Sequence, residues 1–199
     1  MDLTLPSGPT PACDTCKENV CVCPPKSFST ITPEYQQTLR DMHARAPWGQ
    51  HGFIYTSGWL PFFRKLGCKS VLDYGSGAES LRIGLAKQQP DIDVRCYDPG
   101  VIGREDPPVP ADFVVCTDTF EHIEEPFVDD VFQHIKGLML IGGYLRLTTS
   151  RAKRILPDGR NAHIFQRPRT WWLLKFKEHG YNIVKQDGGT KTVIVWIRK

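Results

Sequence analysis

From Ser70 to the end of the chain, short apolar runs alternate with amphipathic stretches, and the alternation predicts strand, helix, strand. SVLDY (70–74) reads as a strand that breaks at Gly75. A helix follows from Ala78 to Gln89, stopped by Pro90. IDVRCYD (92–98) is the second strand, PGVIGREDPPVPA (99–111) a loop, and DFVVC (112–116) the third strand. A helix opened by Pro126 then places Val128, Val131, Phe132 and Ile135 on one face and ends at Gly137. After the strand YLRLTT (144–149) come a long loop and the helix TWWLLKFKEHG (170–180). YNIVKQ and KTVIVWIRK, joined by Asp187-Gly188-Gly189, read as an antiparallel hairpin. Strands separated by helices imply an α/β fold, a doubly wound and mostly parallel sheet closed by that C-terminal hairpin.

Upstream the pattern changes. TPEYQQTLRDMHAR (32–45) is helical, with Thr32 as N-cap, Pro33 in the first turn, and Tyr35, Leu39 and Met42 at helical spacing. APWGQHGFIYTSG (46–58) reads as an irregular loop and WLPFFRKLG (59–67) as a short helix. Residues 1–31 are rich in Pro, Ser, Thr and Cys and show no apolar periodicity, so they have too little hydrophobic surface to order themselves. The expected organisation is therefore an N-terminal segment (1–31), a helical cap (32–69) and the α/β domain (70–199).

At 199 residues with a formal charge of +3, the chain has the size and balance of an ordinary globular domain. The start lacks the basic flank and apolar core of a signal peptide, and no apolar run is long enough to span a bilayer. A cytoplasmic protein without membrane partners is expected. Cys68, Cys96 and Cys116 lie in apolar surroundings and read as reduced core residues. The other four cysteines crowd into CDTCKENVCVC (13–23). Cys13, Cys16, Cys21 and Cys23 offer four thiolates within reach of one tetrahedral ion, and zinc is the expected occupant in a reducing compartment.

The chemistry starts at VLDYGSGAES (71–80). In a doubly wound fold the ligand sits where the first strand turns into its helix, and Gly75 and Gly77 allow the tight turn. A nicotinamide-binding loop would carry a third glycine at 80, where this chain has Ser80. Asp73, beside the turn, would repel a pyrophosphate but could hold an ammonium group. Asp98, about twenty residues on at the end of the next strand, is placed to grip two ribose hydroxyls.

VLDYGSGA, CYDPG and ADFVVCTDTFEHI together resemble the cofactor motifs of class I S-adenosylmethionine-dependent methyltransferases, over about residues 70–199. LPDGRNAHIFQRPRTWW (156–172) further resembles a small phage and bacterial branch of that superfamily. The resemblance implies the Rossmann-like methyltransferase fold. It also implies S-adenosylmethionine contacts from Asp73, Gly75, Gly77 and Asp98, and from residues after DFVVC such as Thr117. Two departures stand out. The family's third loop glycine would fall at position 79, here Glu79. The helix and strand that usually separate the ribose carboxylate from the DFVVC-type strand are missing, since residues 99–111 are too short and too rich in proline. The adenine pocket must then be built differently.

Methyl transfer from a sulfonium requires alignment of the reactants, and a base where the acceptor carries a proton. Candidate catalytic groups are Asp118 and His122, after the third strand, and His163, on the loop after the fourth; an imidazole suits proton removal near neutral pH. Glu121 and His122 can equally be a helix-opening pair. Arg154 and Asn161, in a loop carrying six cationic side chains, are candidate contacts to an anionic acceptor, and Trp48 and Tyr55 could close over the site. Trp171 and Trp172 could stack on a ring or pack in the core. The chain lacks the Asn/Asp-Pro-Pro-aromatic signature and the Pro-Cys pair of DNA-methylating enzymes, which argues against those particular chemistries; a small or nucleotide-like anionic acceptor is expected, with nucleic acid an open alternative. The rival readings are a nicotinamide-dependent oxidoreductase and a non-catalytic binding module on the same fold.

Overall fold

The computed structural model describes residues 29–45 and 48–199. The cysteines Cys13, Cys16, Cys21 and Cys23 lie outside the described residues. One six-stranded sheet organises the rest, in the order β2-β1-β3-β4-β6-β5. The strands are β1 (Ser70–Tyr74), β2 (Asp93–Tyr97), β3 (Ala111–Thr117), β4 (Met139–Thr148), β5 (Ile183–Asp187) and β6 (Thr192–Arg198). β2, β1, β3 and β4 run parallel, and β6 is antiparallel to both its neighbours. The helices are α1 (Pro33–Arg45), α2 (Thr56–Lys65), α3 (Ser80–Gln88), α4 (Val128–Leu138) and α5 (Arg169–Glu178). The doubly wound, mostly parallel sheet with its antiparallel C-terminal strands is the architecture that the alternating pattern predicts.

Side-chain alternation along the strands divides the core in two. Val114 and Cys116 of β3, Leu145 and Leu147 of β4 and Val193, Val195 and Ile197 of β6 meet Val131, Phe132 and Ile135 of α4 and Trp172 and Phe176 of α5. The intervening residues Phe113, Val115, Tyr144 and Trp196 meet Trp59 and Phe63 of α2 and Leu81 and Leu85 of α3. Trp172 is completely buried against Phe120 and Phe132, so it packs in the core. A third, smaller cluster joins Tyr35 of α1 to Leu156 and Ala162 of the loop after β4.

Two departures from the sequence pattern, and one expectation that holds (the loop at 99–111), have local causes. β4 begins at Met139, five residues early in the chain, because Gly142 and Gly143 belong to the strand. A Cβ there would lie 2.7 Å from the Ile197 carbonyl and 3.0 Å from that of Val114, so glycine marks close packing, not a loop. The stretch before α2 contains a 3₁₀ turn, Gly52–Tyr55, held because Phe53 fills the space over Gly84 of α3. Among the described residues no helix or strand forms between β2 and β3, which leaves β2 at the sheet edge. That segment folds on itself through Asp98 N–H to the Arg104 carbonyl (2.9 Å) and Arg104 N–H to the Val101 carbonyl (3.1 Å).

α1 starts where Thr32 caps it: the Tyr35 N–H donates to Thr32 Oγ1 at 3.2 Å. Thr32 in turn donates its N–H and hydroxyl to the Glu124 carboxylate, at 2.8 and 2.9 Å, which pins α1 to the loop after β3. No helix among the described residues is long and apolar enough to cross a membrane.

Phe132, fully buried among Phe120, Trp172, Phe176 and Tyr181, anchors the α4–α5 face. Phe132→Ala is expected to cost about 3–5 kcal/mol, read as a lower urea midpoint with an unchanged slope. A loss below about 1 kcal/mol would show that this face does not carry the fold.

Candidate functional site

All the candidate residues from the parallel strands lie at the carboxyl edge of the sheet, where each strand hands its chain to a loop. Gly75 and Gly77 have φ of +80° and +47°, and each is crowded where a side chain would stand. A Cβ on Gly75 would lie 2.2 Å from Thr119 Oγ1, and one on Gly77 would lie 2.8 Å from both Gly49 Cα and the Trp48 carbonyl. Asp98 closes the turn: its carboxylate accepts the Gly77 N–H at 2.8 Å and the Gly100 N–H at 2.9 Å. Glu79, at the position of the family's third glycine, adopts the left-handed conformation itself (φ +56°). Ion pairs to Arg82 (2.6 Å) and Arg104 hold it there.

Two cavities meet at this turn. The first, of about 110 Å³, is lined by Asp98, Pro99, Tyr74 and Ile123 together with Leu39 and His43 of α1. α1 thus takes the place of the missing helix and strand. Its Gln36 donates to the Pro99 carbonyl at 2.8 Å, and Leu39 packs where a Cβ on Gly100 would stand. Nothing in the helical periodicity of α1 signals this role; only the shortness of the 99–111 loop does.

The second cavity, of about 340 Å³, is lined by Asp73, Ser76, Thr117, Asp118, Glu121, His122, Arg146 and His163, with Trp48 and Tyr55 at its wall. Asp73 is buried and has no hydrogen-bond partner among the described residues. Burial, then the charges of Asp98 and Glu79, push its carboxyl up to about 7. Ser76 Oγ is buried and likewise unpartnered. An unpaired carboxylate beside an unpaired hydroxyl, over a turn with no room for side chains, fits the ammonium and carboxylate of an amino acid. That is the donor set the methionine half of S-adenosylmethionine requires.

On the far side of the cavity Asp118, in the left-handed region (φ +53°), accepts the Tyr55 hydroxyl at 3.0 Å and pairs with Arg146. The Arg146 guanidinium lies 4.4 Å from the Tyr55 ring centre. Arg146 escapes the sequence reading because it sits inside an apolar strand, although a charge in such a strand is itself a signal. Glu121 is fully buried; burial raises its carboxyl above the usual range, and one oxygen accepts the Thr148 N–H at 3.1 Å. His122 donates Nδ1–H to the Ala162 carbonyl at 2.8 Å, and burial, then His163, push it down to about 4. His163 donates Nδ1–H to the Ser150 carbonyl, and the two imidazoles meet edge to face, 4.9 Å apart.

The structure therefore brings together Asp73, Gly75, Asp98, Thr117, Asp118, His122 and His163 around adjoining cavities. Trp48 sits between them, its ring 5.1 Å from His122 and its carbonyl accepting the Ala78 N–H at 2.9 Å. Arg154 lies on the outside, 5.8 Å over the Trp48 ring. Asn161 commits its side chain to the loop: its carbonyl oxygen accepts the Ala152 and His163 N–H groups, and its amide donates to the Ala152 carbonyl. It positions His163. Of the loop cations, Arg160 pairs with Asp158 and Arg167 with Glu125.

The fold is shared with solved methyltransferase structures. A SAM-dependent methyltransferase from Aquifex aeolicus superimposes with a TM-score of 0.51 at 16% identity, over 80% of this chain and 97% of that one. Magnesium protoporphyrin IX methyltransferase from Synechocystis PCC 6803 with bound SAH gives 0.51 at 17%, over 83% of each chain. Human N-acetylserotonin methyltransferase in complex with SAM gives 0.53 at 14%, over 83% of this chain but only 56% of the human one. No curated protein sequence matches this chain. The methyltransferase-domain family model matches residues 49–187, well over half of the sequence, and the chain belongs to that family.

Proposed function

We propose that the protein is an S-adenosylmethionine-dependent methyltransferase acting on a small or nucleotide-like anionic acceptor in the cytoplasm. The observation that carries this reading is Asp73, a buried carboxylate without a partner at a glycine turn that excludes side chains. When bound, the cofactor supplies a methyl group on a positively charged sulfur. Asp73 holds its ammonium group, the unpartnered Ser76 hydroxyl its carboxylate, and Asp98 its ribose hydroxyls. Leu39, Pro99 and Ile123 provide the apolar walls for adenine. Thr117 stands at the entrance to the second cavity.

The acceptor occupies the second cavity. Arg146 and the basic loop attract an anion, and Asp118 with Tyr55 holds Arg146 in position. His163 donates through Nδ1, so its Nε2 carries the free electron pair and is the group offered to the acceptor's proton. His122 presents a second free pair beside it. The segment 156–172 is the part of the chain that resembles the phage and bacterial branch, and its His163 lines the cavity. Cys13, Cys16, Cys21 and Cys23 form a separate structural zinc site in this reading.

Calorimetry with S-adenosylhomocysteine tests the cofactor half. One equivalent should bind, and Asp98→Ala should weaken binding by about 1.5–3 kcal/mol, the range for hydrogen bonds to a charged group. A folded mutant with unchanged affinity would remove Asp98 from the ribose.

Asp73 predicts the pH dependence. The ligand's ammonium requires an ionised carboxylate, so affinity should tighten as pH rises towards 7 and level off above it, by about tenfold per unit below. Without ligand the sign reverses for stability. The folded carboxyl titrates above its unfolded value, so its contribution is present at low pH and lost as pH rises through the window from about 4 to 7. Asp73→Asn should flatten the binding profile and weaken it throughout. A wild-type profile flat from pH 5.5 to 8 would contradict this role.

A further inference from the structure

Glu121, His122 and His163 are brought together from two separate loops. Glu121 and His122 stand on a 3₁₀ turn after β3, and His163 on the loop after β4. One donor atom from each lies within 4.8 Å of the other two, and all three residues line the second cavity. We infer that these three side chains bind a divalent transition-metal ion at the acceptor end of that cavity.

Three features of the cluster carry the inference. First, both imidazoles donate Nδ1–H to backbone carbonyls, of Ala162 and Ser150. A carbonyl can only accept, so each Nδ1 holds the proton and each Nε2 the lone pair. Ring orientation fixed through the second nitrogen is the usual support of a metal-binding histidine.

Second, Glu121 is completely buried and its Oε2 has no hydrogen-bond partner among the described residues, while Oε1 is used by Thr148. A buried carboxylate oxygen left unpaired is costly. Arg146, the cation that shares the cavity, is bonded to Asp118. Neither histidine is a hydrogen-bond partner of Oε2, so a proton shared within the cluster does not satisfy it either.

Third, the donor set is chemically selective. Two imidazoles and one carboxylate favour manganese, iron, cobalt or zinc over magnesium and calcium, which require mostly oxygen. Ligands bonded at about 2.1 Å in a tetrahedral set stand about 3.4 Å apart, so donor atoms now within 4.8 Å of one another draw in by up to about 1.4 Å on binding. Three protein ligands leave coordination positions open towards the cavity. The inference rests on the proposed methyltransferase reading and revises one role in it: with the ion bound, His163 Nε2 is a ligand and not the acceptor's base, and an anionic acceptor is held through oxygen on the ion.

The test separates this site from the cysteine cluster and from the cofactor. A full-length variant with Cys13, Cys16, Cys21 and Cys23 changed to Ser is stripped with chelator and titrated with Co²⁺, followed by visible absorption and calorimetry. S-adenosylhomocysteine binding is measured on the same samples. One Co²⁺ per chain is expected, with the weak visible bands of nitrogen and oxygen ligation. Glu121→Gln, which keeps an acceptor for the Thr148 N–H, and His163→Gln should each weaken Co²⁺ binding at least tenfold while retaining S-adenosylhomocysteine affinity. Absence of Co²⁺ binding in a protein that binds S-adenosylhomocysteine overturns the metal site and leaves the methyltransferase reading intact. Binding that both substitutions leave unchanged overturns the assignment to these residues. Co²⁺ binding that the substitutions abolish, in a protein that ignores S-adenosylhomocysteine, supports the metal site and overturns the reading on which its role rests.

Discussion

The site depends on how closely the backbone approaches itself at Gly77. Its N–H is bound by Asp98 at 2.8 Å, and its α-carbon faces Gly49 and the Trp48 carbonyl with no room for even a methyl group. That contact joins three parts of the chain: the turn after β1, the end of β2 and the segment preceding α2. Once it forms, the positions of Asp73, Asp98 and Trp48 relative to one another are set by backbone geometry. No long side chain has to be ordered to place the two carboxylates, which is the preorganisation a cofactor site needs.

The shortened segment after β2 changes what surrounds this contact without weakening it. Arg104, from that segment, pairs with Glu79, and Glu79 takes the backbone conformation that a glycine would otherwise supply. A left-handed non-glycine residue costs of order 1 kcal/mol or more, and two cations opposing its carboxylate offset that cost. The loss of a helix and a strand is thus balanced twice: Arg104 steadies the glycine turn, and α1 covers the first cavity beside Asp98 with Leu39 and His43. Thr32 links this cover to Glu124, three residues from Glu121, so the two sides of the site share one loop.

Much of this was legible in the sequence, for reasons that differ by residue. Short apolar strands such as β3, separated by amphipathic helices, imply a sheet covered on both faces, so the fold class follows from the pattern. Asp73, Gly75, Gly77 and Asp98 are legible because a strand–turn–helix unit leaves few positions from which a ligand can be reached. Gly142 and Gly143 mislead because glycine signals either a turn or close packing, and only the neighbouring strands decide which. Arg154 and Asn161 look alike as polar loop residues. In the structure one lies over Trp48 on the surface and the other holds the loop backbone. The role of Arg146 and the meeting of Glu121 with His163 depend on contacts between distant segments, which no local pattern encodes.

In the proposed reading, charges of opposite sign stand at the two ends of the site. At the glycine turn stand buried Asp73 and half-buried Asp98, carboxylates suited to an ammonium group and to hydroxyl donors. The acceptor side presents Arg146 and two imidazole electron pairs. Asp118 stands at the boundary, lining both cavities and neutralising Arg146 in part. On that reading a cationic sulfonium is attracted towards the first set and an anionic acceptor towards the second, so the field of the site favours their alignment across the boundary. Trp48 enforces the same division sterically. Its backbone carbonyl is fixed to the glycine turn through Ala78 while its ring rests on His122, so this wall of both cavities is anchored at two points.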